Sequence, residues 1–450
     1  MVLKVYNTLN KKKEVFKPIK DKKVDLFVCG LTPYNYAHIG HAKTYIQFDV
    51  IVKYLRSLKY NVFYLQNVTD LDDKIIKRAN EENKTWKEIA RKYEKEFKDD
   101  MKDLNVDSVS KYARATDYIK EIQSQVKRLI DKKCAYKISD GWYFDLSKFK
   151  EYGKLAKRTM EKSQDAVSRI DENKEKRNKG DFCLWKFSKE GEPSWKFSEG
   201  EGRPGWHIED TAITEKEFGC QYDVHGGAID LIFPHHEAEI AQMESISGKK
   251  PLVKYWLHTA FLNINKEKMS KSLGNFITIK EALKKYNGRI LRYFFVSNTY
   301  RSSIDFSYDT LEHSKNALER LDNFMLKLKD SKEKDDLKLI EKAKNDFIKS
   351  MDDDFNAAKA VSVIFDFIKN VNKKGGGKKS YELMLEFDEV FGLGFKDLKE
   401  KRLDKEVKEL IKKREKAREE KNYELADKIR DKLNKKGIIL EDTALGVKIK

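Results

Sequence analysis

Apolar positions in the first 70 residues change period twice. Val24-Asp25-Leu26-Phe27-Val28-Cys29 is a short β-rich run, and residues 30–37 form a loop containing Pro33 and Asn35. Across residues 39–58, Tyr45, Phe48, Val52 and Leu55 recur at helical spacing, with Ile51 and Leu58 widening the stripe. Val62-Phe63-Tyr64-Leu65 then reads as a second strand. Strand, helix and strand in this order predict a right-handed βαβ crossover and a parallel sheet. Ligands of such sheets bind beyond the carboxyl ends of the strands, where the 30–37 loop would lie.

Charge-rich helical sequence fills residues 70–133. Residues 150–200 are basic and poor in period, especially around Lys174-Glu175-Lys176-Arg177-Asn178-Lys179-Gly180, which predicts an insertion carrying loops. A second α/β stretch begins near Gly205. In it Asp223-Val224-His225-Gly226-Gly227 reads as a strand end plus glycine turn, and Pro234 opens a helix through Met243. Beyond Phe306 the pattern is helical. Leu311, Leu318, Leu321, Met325 and Leu328 form one stripe; Ala360, Val361, Ile364, Phe365, Ile368 and Val371 form another, with Asn356 as N-cap. Gly375-Gly376-Gly377 predicts a flexible interruption. The last fifty residues continue as helix (Val407, Leu410, Ile411; Leu425, Ile429, Leu433), break at Gly437, and end in β-like pieces at 438–440 and 447–449.

At 450 residues the chain exceeds a single small module, and 40% hydrophobic content with 25 Phe, 21 Tyr and 6 Trp excludes wholesale disorder. Lys and Arg number 93 against 75 Asp and Glu, a net charge of +18. That excess points to a polyanionic partner or to a generally lysine-rich surface. Residues 401–450 share it, with 17 Lys/Arg against 11 Asp/Glu. The four cysteines, Cys29, Cys134, Cys183 and Cys220, include no CxxC pair, which argues against a disulfide framework. No apolar run reaches signal-peptide length at the start or the roughly 18 residues of a membrane span, so a cytoplasmic protein with no membrane partner is expected.

Two short strings carry chemistry. His38-Ile39-Gly40-His41 falls where the first loop enters the first helix. Imidazoles three residues apart share a face, Gly40 leaves room for a ligand, and a helix N-terminus suits phosphate. Lys268-Met269-Ser270-Lys271-Ser272 places two lysines among small polar residues, suited to a polyphosphate. Singly, each is as ordinary as a surface histidine pair or a solvated loop. Together, in this order and separated by an α/β half, they resemble the HIGH and KMSKS signatures of the class I aminoacyl-tRNA synthetases.

Within that class the chain resembles the cysteinyl-tRNA synthetases nearly end to end. The resemblance is carried by Phe27-Val28-Cys29-Gly30, Asn67-Val68-Thr69-Asp70-Leu71-Asp72-Asp73-Lys74, Gly202-Arg203-Pro204-Gly205-Trp206-His207-Ile208-Glu209, Asp223-Val224-His225-Gly226-Gly227, Phe233-Pro234-His235-His236-Glu237-Ala238-Glu239 and Met351-Asp352-Asp353-Asp354-Phe355-Asn356. It implies a Rossmann-type parallel-sheet catalytic domain with an insertion, a helical bundle and a small C-terminal α/β anticodon-binding domain. The corresponding divisions are 1–115 and 196–265 for the two catalytic halves, 116–195 for the insertion, 266–306 for the KMSKS and stem-contact region, and 307–400 and 401–450 for the anticodon-binding parts.

The same resemblance implies ATP with Mg2+, L-cysteine and tRNA(Cys) with its GCA anticodon as partners, and a monomer. It assigns catalysis to His38, His41, Lys268 and Lys271. Gly40, Gly227 and Asp230, with the two lysines, would bind ATP; Thr69, Trp206 and His225 would hold cysteine. A zinc ion would be held by Cys29, His235 and Glu239, with a second cysteine expected after Glu209. This chain has Asp210 there. Aspartate is an acceptable but harder zinc ligand, leaving three arrangements: Asp210 ligates, the site binds metal weakly or not at all, or Cys220 swings in. Cys134 and Cys183 read as ordinary buried or loop cysteines. Cysteine:amino-sugar ligases and HIGH-bearing nucleotidyltransferases would lack the 307–450 tail, and a catalytically dead RNA-binding relative would not need both signatures. His235-His236-Glu237 does not have HExxH spacing, which argues against a metalloprotease.

Overall fold

Five strands build the central sheet: β1 (Lys23–Leu31), β2 (Asn61–Val68), β3 (Lys111–Arg114), β4 (Tyr222–Ala228) and β5 (Val253–Thr259). Their spatial order is β5-β4-β1-β2-β3, and every neighbouring pair is parallel. The computed structural model describes residues 2–158, 173–269, 274–399, 405–435, 440–443 and 446–449. β1 is buried on both faces, which explains its nearly continuous apolar run. From β1 the chain steps outward to β2 and β3, then restarts on the other side of β1 with β4 and β5. The β1/β4 boundary is therefore the topological switch point, where such sheets open a ligand crevice.

Helix α1 (Ile39–Ser57) makes the β1-to-β2 crossover. It packs against the sheet and against helices Gly288–Val296 and Lys378–Phe391, so polar positions outside its apolar stripe are buried too. Gln47 donates to the Phe295 carbonyl at 2.5 Å, and Lys43 Nζ donates to the carbonyls of Ala260, Phe261 and Ser302 at 2.5, 3.1 and 2.9 Å. Helices α2 (Trp206–Phe218) and α3 (His235–Ser247) flank β4, the latter with Pro234 as N-cap.

The insertion contains more regular structure than its composition predicts. Ala135–Ile138, Gly141–Phe144, Phe182–Phe187 and Gly202–Pro204 form a four-stranded antiparallel sheet. Its third strand is held by Trp185, which is fully buried and donates through Nε1 to the Gly200 carbonyl at 2.9 Å. One aromatic strand inside a basic stretch is too short to register as a period.

Beyond Phe306 come helices Tyr308–Lys329, Leu337–Met351, Ala357–Lys374 and Lys378–Phe391. Asn356 caps the third, accepting from the Lys359 N–H at 3.0 Å. Its buried stripe contains Phe367 in place of Phe365, whose half-buried ring instead receives the Arg320 guanidinium. The Gly375–Gly377 break is tied down. Ser331 donates to the Gly376 carbonyl at 2.6 Å, and Asp335 accepts from the Gly377 and Ser380 N–H groups.

Residues 397–450 form a separate compact unit. In it helices Lys405–Glu419 and Tyr423–Lys435 pack around Val407, Ile429, Leu433 and Leu440, and Leu440–Thr443 pairs antiparallel with Gly446–Ile449. Leu425, expected in this stripe, is 45% exposed. Ile438 and Ile439 lie outside the described residues. Among the described residues no helix is long and apolar enough to cross a membrane.

Candidate active site

A cavity of about 450 Å³ opens at the carboxyl ends of β1 and β4, lined by Cys29, His38, Gly40, His41, Trp206 and Asp230 among others. His38 is the N-cap of α1. Its N–H donates to His41 Nδ1 at 3.2 Å, and the His41 N–H donates to His38 Nδ1 at 3.3 Å. The rings stack with centroids 3.7 Å apart. Because each Nδ1 accepts from a backbone N–H, the proton of each ring sits on Nε2. Burial, then the neighbouring His38, push the His41 imidazole well below its usual range. His41 therefore presents a hydrogen-bond donor rather than a full charge. Gly40 lines the cavity, and a Cβ there would lie 2.9 Å from His38 Nδ1 and 3.3 Å from Met269 Cε, so a side chain at this position would crowd its neighbours.

Behind the cavity lies a cluster of metal-binding side chains. β1 supplies Cys29 and α2 supplies Asp210. α3 supplies His235 and Glu239, which share one helix face at i,i+4. Asp210 Oδ2 is 3.4 Å from Cys29 Sγ and 3.0 Å from His235 Nε2, which is 3.1 Å from Glu239 Oε1. All four residues are buried, and their ligand atoms lie within 4.8 Å of one another. Zinc bonds of 2.0–2.3 Å in a tetrahedron place ligand atoms roughly 3.3–3.8 Å apart, so small adjustments close this set on one ion. Glu239 Oε1 accepts no hydrogen bond among the described residues. Burial and the adjacent carboxylates push the Cys29 thiol well above its usual range, and burial with Asp210 does the same to Glu239. A divalent cation fits this donor set, because it compensates acidic groups that no Lys or Arg pairs with among the described residues.

Five of the chain's eight histidines surround this point. His236 Nε2 is 3.1 Å from Cys29 Sγ, and its Nδ1 is 2.9 Å from His258 Nε2. His225 Nε2 is 3.3 Å from Cys29 Sγ, while its Nδ1 is 2.7 Å from the Tyr222 hydroxyl. His207 Nδ1 meets His235 Nδ1 at 2.8 Å. Cys29, His225, His236 and Glu239 thereby form a second four-ligand group sharing two members with the first. Burial foremost, with neighbouring imidazoles, holds His207, His225 and His236 well below the usual range. Sequence reasoning passed over His236, His258 and Asn67; the density of histidine between 207 and 258 was the available signal.

The remaining expected residues are distributed as follows. Trp206, 42% exposed, stacks on His235 with centroids 4.4 Å apart and lines the cavity. Thr69 and His225 are buried and do not line it. Asp230 lies in the turn Ile229–Ile232 at its rim. Gly227 backs onto His236, whose Cε1 would be 3.0 Å from an added Cβ. Lys268 lies on strand Glu267–Lys268, opposite Asn263. Lys271 lies outside the described residues. Cys220 Sγ is 4.0 Å from Glu215 Oε1 and belongs to neither four-ligand group; Cys134 and Cys183 are half-buried.

The chain is similar to known proteins along its whole length. Residues 15–316 match the model of the tRNA synthetases class I (C) catalytic domain, 346–396 the DALR domain, and 400–447 the cysteinyl-tRNA ligase anticodon binding domain. The chain is 44% identical over 472 residues to a cysteine–tRNA ligase of Thermococcus gammatolerans, covering 99% of this chain and 98% of the relative. It is 43% identical over 470 residues to that of Thermococcus onnurineus, with the same coverage. The fold is similar to that of Mycobacterium tuberculosis methionyl-tRNA synthetase in complex with methionyl-adenylate, with a TM-score of 0.60 and 16% identity over 82% of this chain and 89% of that one. Signature helix, cysteine-bearing strand and full-length likeness agree, and the chain belongs to the cysteinyl-tRNA synthetases of class I.

Proposed function

We propose that the chain joins L-cysteine to tRNA(Cys) through a cysteinyl-adenylate, selecting the thiol at a zinc site held by Cys29, Asp210, His235 and Glu239. The observation that carries this reading is the convergence of these buried ligands behind the cavity lined by His38 and His41. Cysteine and serine differ by one atom, and pocket contacts separate such near-isosteres by only about 100-fold. Zinc bound there supplies affinity for sulfur and stabilises a thiolate, whereas an alcohol is far harder to ionise. Trp206 walls the amino-acid pocket. His225 supports Cys29 from behind, and Thr69 supports the end of β2.

In the first step the cysteine carboxylate attacks the α-phosphorus of ATP, a carboxyl O–P bond forms, and pyrophosphate leaves. A carboxylate needs no general base, so the residues position the reactants and neutralise phosphate charge. The Nε2–H donors of His38 and His41 serve that role from the α1 N-terminus, with Lys268 and Lys271 supplying charge, Gly40 and Gly227 shaping the site and Asp230 accepting from the ribose. Mg2+ accompanies the triphosphate. In the second step the 2′-hydroxyl of the terminal adenosine takes the cysteinyl group and AMP leaves. The basic 397–450 unit serves anticodon binding, which weakens with salt.

The test is tRNA charging with cysteine and serine, with and without a zinc-selective chelator and with Mg2+ kept in excess. Cysteine charging is expected to collapse on chelation and return with zinc; chelator-insensitive discrimination would sink the reading. Lys271→Ala is expected to slow cysteine-dependent pyrophosphate exchange about 100-fold with little change in cysteine affinity. An unchanged exchange rate would remove Lys271 from the reaction.

A further inference from the structure

We infer that Asn67 is a positioning residue for the metal site, acting by fixing Asp210 as a ligand through one oxygen. This deepens the proposed function and rests on the reading that Asp210 ligates. Asn67 lies at the carboxyl end of β2 and is buried. Its Oδ1 accepts the Gly30 N–H at 2.5 Å. A backbone N–H can only donate, so the amide orientation is settled and the NH2 group must face the other way. There Nδ2 donates to Asp210 Oδ1 at 2.5 Å, with Thr69 Oγ1 at 3.4 Å. The other carboxylate oxygen, Oδ2, is the one facing Cys29 and His235.

The requirement follows from the ligand type. A thiolate presents one donor atom, whereas a carboxylate presents two and turns about a broad terminal torsion. Something must hold one oxygen aside if the other is to keep a fixed place. The clamp itself has little freedom: a Cβ on Gly30 would fall 1.7 Å from the Asn67 carbonyl oxygen, so the ends of β1 and β2 are in contact. The Asn67–Asp210 bond crosses from this contact to α2. Outer-shell partners of this kind typically change metal affinity 10–100-fold when removed.

The test measures zinc affinity of the full chain by competition with a chromophoric chelator in wild type, Asn67→Ala, Asp210→Cys and the double variant. Asn67→Ala is expected to weaken zinc 10–100-fold in the wild-type background and less than about threefold beside Asp210→Cys, where no carboxylate needs orienting. The visible spectrum of the cobalt-loaded protein is expected to change with Asn67→Ala only when Asp210 is present. The melting temperature of the metal-free protein, taken for the same four proteins, separates a folding defect from a metal-site effect: a fall equal in both backgrounds belongs to the Gly30 contact, whereas a zinc loss confined to the Asp210 background belongs to the site. Equal losses in both backgrounds, or zinc bound by Asn67→Ala as tightly as by wild type, overturn the inference alone. A wild-type chain that takes up no zinc overturns the site reading as well.

Discussion

Replacing Asp210 by alanine is expected to leave purified protein largely without zinc by elemental analysis, and to lower cysteine-over-serine selectivity in pyrophosphate exchange to about 100-fold or less. The first effect follows because one of four ligands is removed, which should cost more than the roughly 100-fold associated with outer-shell changes. The second follows because the remaining pocket contacts discriminate near-isosteres only to that extent. His236, 3.1 Å from Cys29 Sγ, marks the second ligand group, so an ion retained by the variant is held either there or by the remaining Cys29, His235 and Glu239. Combining Asp210→Ala with His236→Ala separates the cases. Full zinc occupancy in Asp210→Ala that is lost only in the double variant would move the site to Cys29, His225, His236 and Glu239. Asp210→Cys, by contrast, is expected to retain zinc and favour softer ions such as cadmium more strongly than the wild type.

The largest expected effect on stability lies away from the chemistry. Arg292 is fully buried: its Nε donates to the Phe391 carbonyl at 2.6 Å, its Nη1 to Leu104 and Asn105 at 3.1 and 2.6 Å, and its Nη2 to Asp49. This one side chain ties the α1 helix to the helix Lys378–Phe391. Arg292→Ala leaves Asp49 buried with Lys53, 2.9 Å away, as its remaining cation. Breaking a buried pair in this way typically costs about 3–5 kcal/mol. The measurement is the shift in denaturation midpoint of the catalytic unit, and Arg292→Met with Asp49→Asn should recover part of the loss. A single-variant loss below about 1 kcal/mol would show that the pair is not holding these elements together.

The same pair gives a pH signature. Burial raises the Asp49 carboxyl, but Arg292 and Lys53 more than offset it, leaving the group below its usual range. A depressed carboxyl contributes stability that is present above its unfolded value and lost as pH falls through the folded one. In Arg292→Ala the burial effect is less compensated and the folded value rises toward the unfolded one, so the stability gap between wild type and variant should narrow as pH falls through the acid range.

Local elements were legible where one face of an element is apolar or one residue has a single strong use. The α1 helix, the β1 and β2 strands and the Asn356 cap follow from spacing, because helix and strand periods are properties of neighbouring residues. Phe365 and Leu425 were misplaced because the neighbours of a helix decide which side of an apolar stripe is covered. The insertion sheet was missed because a strand such as Phe182–Phe187 derives its order from partners outside its own stretch of chain, on Gly141–Phe144 before it and Gly202–Pro204 after it.

The signature strings, read as a resemblance, also supplied Cys29, His235 and Glu239 as companions, though only the last two are joined by helical spacing. What brought Asp210 to Cys29, across 181 residues of chain, is the restart of the sheet at the β1/β4 boundary with α2 and α3 laid over it. The orientation of Asn67 and the place of His236 have the same origin. Each depends on which atoms of distant segments face one another and which are denied water. Linear order carries the residue types and their local periods; only packing sets those distances.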